Sequence, residues 1–87
     1  MHKLKLFKVE PEERETLFIT ARSPDHAAEL YLAQELSRNR EIADFAVERT
    51  DQSLAGEGRL SLDDMLDYGP PGIAQFDALF GWGSTPV

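Results

Sequence analysis

The sequence predicts an α+β domain. Its core is β-β-α-β, a three-stranded sheet packed by one helix of about 15 residues, followed by a short second helix and an aromatic, Gly/Pro-rich C-terminal segment. Three observations carry this. Apolar and polar residues alternate over residues 3–9 and 15–22, Ser23-Pro24-Asp25 opens a run rich in alanine and leucine, and glycine, proline and aromatic residues concentrate from Gly69 onward.

In the first strand Leu4 and Leu6 alternate with Lys3 and Lys5. Phe7 and Val9 fall on the opposite phase, so either the strand is bulged near Leu6 or both of its faces are partly covered. In the second, Leu17, Ile19 and Ala21 alternate with Thr16, Phe18, Thr20 and Arg22. Between the strands, Glu10-Pro11-Glu12-Glu13-Arg14 reads as a solvated hairpin loop, because proline and consecutive charges disfavour a buried strand.

Ser23 can cap free backbone N–H groups, Pro24 suits the first helical position and Asp25 complements the helix dipole. The helix is expected from Pro24 to Arg38 or Asn39. Its apolar residues form two rows, Ala28, Leu32, Leu36 and Ala27, Leu30, Ala33, which predicts packing against the sheet and against something else. Arg38 and Arg40 suit its negative pole. A third strand is expected over Ala43–Thr50, with Ala43, Phe45 and Val47 on one face. The crossover through the helix places it either parallel to the second strand or beside the first.

Asp51 to Arg59 reads as a flexible link. Ser61-Leu62-Asp63-Asp64 then opens a short helix with Ser61 as cap and Asp64 in the capping-box position. Leu62, Met65 and Leu66 share its apolar side, and Gly69 before Pro70-Pro71 ends it. Within a single domain, residues 1–50 are therefore core, 51–60 a flexible link, and 61–87 a short helix plus a segment that packs on the core or on a partner.

In that last segment Ile73, Phe76 and Phe80 have helical spacing, which predicts one or two amphipathic turns between Gly72 and Gly81. A soluble monomer does not usually leave such residues and Trp82 in water. The segment is expected either to fold back over the sheet or the helix, or to dock into a partner or a second copy. On the docking reading, removing residues 70–87 abolishes association and leaves a folded domain.

Eighty-seven residues make one domain, since a second core needs roughly 50 more. The chain has no cysteine, hence neither a disulfide framework nor a thiolate metal site, and two histidines leave little scope for zinc. No apolar run approaches the roughly 18 residues that span a bilayer. Lys8 and Glu10 interrupt the N-terminal run before a signal-like apolar stretch forms, so a cytoplasmic location is expected. Charge grows more negative along the chain: residues 51–87 hold only Arg59 against Asp51, Glu57, Asp63, Asp64, Asp67 and Asp77, five of the overall −7. Such a field repels phosphate backbones and favours encounter with a basic partner.

Residue clusters that could support chemistry are weak. Asp63-Asp64-Met65-Leu66-Asp67 spells D-D-x-x-D, but the cavity and basic ligands of a metal–diphosphate site are absent from the sequence, and acids at a helix start serve the dipole. Asp25, His26 and Glu29 lack further ligands for a metal. Glu10, Glu12, Glu13 and Glu15 sit on an exposed loop, where no burial shifts a carboxyl towards acid–base work. Gly56-Glu57-Gly58 and Gly81-Trp82-Gly83 lack the lysine and the strand–helix setting of a phosphate loop.

No catalytic, cofactor or metal residue is assigned. The leading expectation is a small acidic, non-enzymatic interaction or regulatory module, without direct nucleic-acid or membrane binding. Its expected partner is another protein, of basic character, or a second copy in a homodimer. The partner-binding residues are Ile73, Phe76, Phe80 and Trp82 with Asp63, Asp64 and Asp67. The alternative is an anionic inhibitor that mimics nucleic acid, as mobile-element antagonists of host defence do, using Glu41, Asp44, Glu48, Asp51, Asp63, Asp64 and Asp67. A small enzyme or ligand-binding domain is third.

Overall fold

The computed structural model describes residues 4–12, 14–38 and 44–86. The expected beginnings of the first and third strands at residues 3 and 43, together with His2, Glu13, Asn39, Arg40 and Glu41, lie outside them. The fold is α+β, but its antiparallel sheet has five strands where three are expected. In chain order the elements are β1 (Lys5–Pro11), β2 (Leu17–Ala21), α1 (Pro24–Ser37), β3 (Phe45–Arg49), two 3₁₀ turns (Asp51–Ser53 and Gly56–Arg59), α2 (Leu62–Tyr68), β4 (Gly72–Asp77) and β5 (Gly81–Pro86). The sheet order is β3-β1-β2-β4-β5.

β1 is an interior strand, and both of its faces are buried. Phe7 and Val9 join Ile19, Ala21, Ala27 and Tyr31 beneath α1, whereas Leu4 and Leu6 join Leu62, Met65, Leu66, Ala74 and Trp82 beneath α2. This resolves the phase change in β1 without a bulge: each phase of the strand feeds a different core. β1 also runs on to Pro11, beyond its last pair with β2 at Val9–Leu17, because Glu10 and Pro11 pair with Ala46 and Phe45 of β3. The Glu12 N–H reaches the Asp44 carbonyl, so by alternation the position of the missing Pro11 N–H faces the side where β2 has ended. Proline breaks nothing there.

α1 begins as its sequence dictates, with the Ser23 hydroxyl accepting the His26 N–H at 3.1 Å and Pro24 at the first position. Its buried row is Ala27, Tyr31 and Glu35, while Leu36, in one of the two expected apolar rows, is 62% exposed. Tyr31 lies on Phe45 with ring centroids 4.6 Å apart. The buried Glu35 carboxylate is paired with the Arg14 guanidinium from the β1–β2 loop. Charge pairing, which apolar periodicity cannot register, thus completes the side of α1 that faces the sheet. The chain then crosses β1 and places β3 beside it, antiparallel.

Asp51 ties the next stretch down. β3 ends at Arg49, and the carboxylate of Asp51 takes over the ladder. Its Oδ1 accepts the Leu6 N–H at 3.1 Å while Thr50 donates to the Leu6 carbonyl at 2.9 Å. The Arg49 guanidinium grips both carboxylate oxygens, at 2.9 and 3.0 Å. Arg59 donates to the Asp51 and Leu54 carbonyls and to the Asp63 carboxylate. The stretch expected as a flexible link therefore contains two 3₁₀ turns with specific anchors.

The capping box expected at Ser61 does not form. Ser61 adopts a left-handed backbone (φ +60°), and its hydroxyl donates to the Phe80 carbonyl at 2.9 Å instead. The first turn keeps Asp63 and Asp64 near the positive helix pole. Gly69 ends the helix with its N–H on the Met65 carbonyl, where a side chain would meet that oxygen at 2.6 Å.

Residues 72–86 are not helical. β4 adds to β2 through Thr20–Gly72, Ile19–Ile73 and Phe18–Ala74, and β5 folds back on β4. The buried Thr20 hydroxyl locks the junction, accepting the Gly72 N–H at 3.1 Å and donating to the Pro70 carbonyl at 3.0 Å. The segment thus completes the sheet, and its Ala74 and Trp82 belong to the core under α2.

Two outcomes follow for stability. Burial alone would raise the Asp51 carboxyl's pKa, but the Arg49 hydrogen bond, the Leu6 N–H and the Arg49 charge outweigh it and hold the group below the usual carboxylate range. Asp51→Ala is expected to cost about 1–3 kcal/mol at neutral pH by stranding the Leu6 N–H, read from the urea midpoint. Because the folded pKa is depressed, the charge-dependent part of that stability is present above the unfolded value near about 4 and lost as pH falls below it. The gap between wild type and variant should therefore narrow in acid. Removing residues 70–87 is expected to abolish cooperative thermal unfolding, since it strips β4 from β2 and Trp82 from the core. A sharp transition in the truncated chain would contradict this.

Candidate protein-interaction surface

The β4–β5 hairpin is built by a local turn and two long-range anchors. Asp77 Oδ1 accepts the Leu79 and Phe80 N–H groups at 2.7 and 3.1 Å, closing the three-residue loop 78–80. Gly81 follows with φ +81°, and a Cβ there would lie 2.1 Å from the Leu60 carbonyl oxygen. Only glycine meets both demands. Trp82 then fastens the hairpin to the body. Its backbone N–H reaches that Leu60 oxygen at 2.9 Å, its indole Nε1 donates to the Gly58 carbonyl at 2.8 Å, and its ring packs edge-on to Phe18 and Phe76, with centroids 5.3 and 5.5 Å away.

The Trp82–Leu60 bond also shapes the outer edge of β5. Since the Trp82 N–H points away from β4, the Trp82, Ser84 and Pro86 backbones face outward. The first N–H of that edge is taken by Leu60, and the last position is proline. The edge therefore offers little to an added strand, and what the hairpin presents to solvent is chiefly side chains.

Those side chains are apolar and in water. Leu79 is 81% exposed and Phe80 78%, while Phe76 and Leu60 are each 45% exposed. Leu60, Phe76 and Ala78 line a cleft of about 360 Å³ with Glu57 and Gly58. Phe80 lines a second cleft that shares Phe76 with the first, and it is tied through its carbonyl to Ser61, from which α2 rises with Asp63 and Asp64 exposed in its first turn.

The structure thus separates the residues that the sequence groups together. Phe76 and Phe80 are on the surface. Ile73 is half-buried and packs against the core under α1, and Trp82 is 8% exposed, so both are committed inside the molecule. Asp63, Asp64 and Asp67 are exposed on α2, with Asp63 engaged by Arg59. Leu60 and Leu79 are surface residues that aromatic content does not flag; the Asp77…Gly81 turn signal would have exposed Leu79.

Other chemistry does not assemble among the described residues. No three His, Asp or Glu side chains gather where they could hold a metal ion. His26 Nδ1 accepts the Arg22 N–H at 3.1 Å and serves the start of α1. Asp44 and Glu48 belong to the β3 edge, Asp51 is buried and gripped by Arg49, and Asp63 is engaged by Arg59. A larger groove of about 770 Å³ lies between the end of α1 and β4, lined in part by Leu17, Ile73 and Gln75, with the internally matched Arg14–Glu35 pair in its wall. No helix among the described residues is long and apolar enough to cross a membrane.

The chain matches no protein-family model, no curated protein and no solved structure.

Gly81→Ala tests the hairpin's construction. Left-handed strain and the contact with Leu60 together are expected to cost about 2 kcal/mol or more, with a blue- or red-shifted Trp82 emission as its anchor to Leu60 loosens. A melting temperature and emission spectrum equal to wild type would refute this account of the turn.

Proposed function

We propose that this chain is a small non-enzymatic module that binds another protein through the apolar surface of its β4–β5 hairpin. One observation carries the reading: Leu79 and Phe80 stand in solvent at the tip of the hairpin, with the half-exposed Phe76 of β4 and, from the link before α2, Leu60. Burying a Leu or Phe side chain is worth about 1.5–3 kcal/mol, and the fold forgoes that gain at the tip. Aromatic anchors over a rigid base are the usual source of interface energy. Trp82, Asp77 and Gly81 supply the base, so little ordering remains to be done on binding.

The test is photocrosslinking in cells of the native host, with a photoreactive amino acid at Ala78, comparing wild type with Leu79→Ser/Phe80→Ser. Both substituted side chains are exposed, so folding stability is expected to change by no more than about 0.5 kcal/mol. A discrete crosslinked protein should appear with wild type and fall at least tenfold with the double variant. An identical crosslinking pattern from the two would sink the proposal.

A further inference from the structure

We infer that the occupant of the hairpin surface is a cationic amphipathic polypeptide segment, in which bulky apolar side chains are interspersed with lysine or arginine. This rests on the proposed function and specifies the partner's chemistry. The apolar part of the surface sets the first half of that description. The cleft between Leu60, Phe76 and Ala78 is open to solvent and of a size to admit an apolar side chain, and Phe76 is shared with a second cleft lined by Phe80.

Charge sets the second half. Glu57 lines the cleft itself, Asp77 forms the turn, and Asp63 and Asp64 rise from the junction that holds Phe80. Arg59 is the single base of residues 51–87, and it is spent on the Asp51 and Leu54 carbonyls and on Asp63. The charged residues that line and adjoin the apolar surface in this part of the chain are therefore acidic, apart from the engaged Arg59. An acidic segment, a phosphate backbone or an anionic lipid surface would meet like charge on approach, whereas a basic segment is steered in and its apolar residues then desolvated.

The sole tryptophan reports occupancy, because Trp82 packs directly against Phe76. The full chain is titrated with a synthetic amphipathic helical peptide of leucine and lysine, a second peptide with glutamate for lysine, and a third with alanine for leucine. The leucine–lysine peptide is expected to bind at least tenfold tighter than either of the others, and to lose about tenfold in affinity between about 0.05 and 0.5 M salt. Glu57→Lys/Asp64→Lys should reverse the preference between lysine and glutamate peptides. Leu79→Ser/Phe80→Ser should weaken the leucine–lysine peptide at least tenfold.

Equal binding of the leucine–lysine and leucine–glutamate peptides would overturn the charge selection while leaving the apolar surface as the docking site. Equal binding of the alanine–lysine peptide, or indifference to the serine substitutions, would overturn the inference and the surface together. Absence of binding by the leucine–lysine peptide would overturn the inference, and the crosslinking comparison then judges the surface separately.

Discussion

The Asp51 carboxylate is the point on which the architecture turns. A strand that ends before its neighbour leaves that neighbour's backbone groups without partners, and such groups are costly when buried. β1 outruns β3 at its first residues, under two covering helices. A single side chain meets the need: Asp51 accepts the Leu6 N–H in the position a strand carbonyl would occupy. Arg49 neutralises it, and Arg59 links its carbonyl to the first turn of α2. Leu4 is completed by the Leu66 carbonyl of the same helix. The placement of α2, and hence of the core under it, follows from how the chain satisfies one side of β1.

Much of this was legible where the governing interactions are local. Ser23 and Pro24 start α1 because capping needs only neighbours in sequence. Alternation reveals β1 and β2, and of the two readings of the switch of phase at Phe7, a bulge or two covered faces, the structure has the second. The C-terminal segment misleads because Ile73, Phe76 and Phe80 satisfy a helical period by coincidence, while the strand pattern is interrupted by residues that serve backbone needs. Gly72, Gly81 and Gly83 leave few side chains to alternate. Asp51 and Glu35 are beyond any local rule, since their burial is acceptable only because Leu6, Arg49 and Arg14 arrive from elsewhere. For the proposed binding surface, aromatic content marks Phe76 and Phe80 but equally marks Trp82, and nothing in composition distinguishes a side chain that anchors from one that stands exposed.

That distinction is made by the pleat and the turn. Phe76 and Trp82 are cross-strand neighbours on one face, yet the indole is drawn inward by the Gly58 carbonyl and Phe18, while the phenyl ring covers it from outside. The loop 78–80 extends past the reach of either core, so its leucine and phenylalanine have nothing to pack against. A short hairpin therefore contributes an inward anchor and an outward apolar surface with little conformational freedom between them. Residues 51–87 carry five of the net seven negative charges, which places carboxylates in the same part of the chain as the exposed apolar groups.

The joining of β2 to β4 has a consequence for synthesis. Phe18 finds Ala74, and Ile19 finds Ile73, across more than fifty intervening residues. A chain emerging in order can assemble β1, β2, α1 and β3 early, but β2 then presents a bare edge and Phe18 lacks its cover until the hairpin has been made. The half-made protein is thus its own hazard for as long as that edge is open, and closure is tied to translation of the last strands rather than to the helical crossover. Hairpin formation itself is rapid on the scale of translation, so the vulnerable interval is set by how long the ribosome takes to reach it.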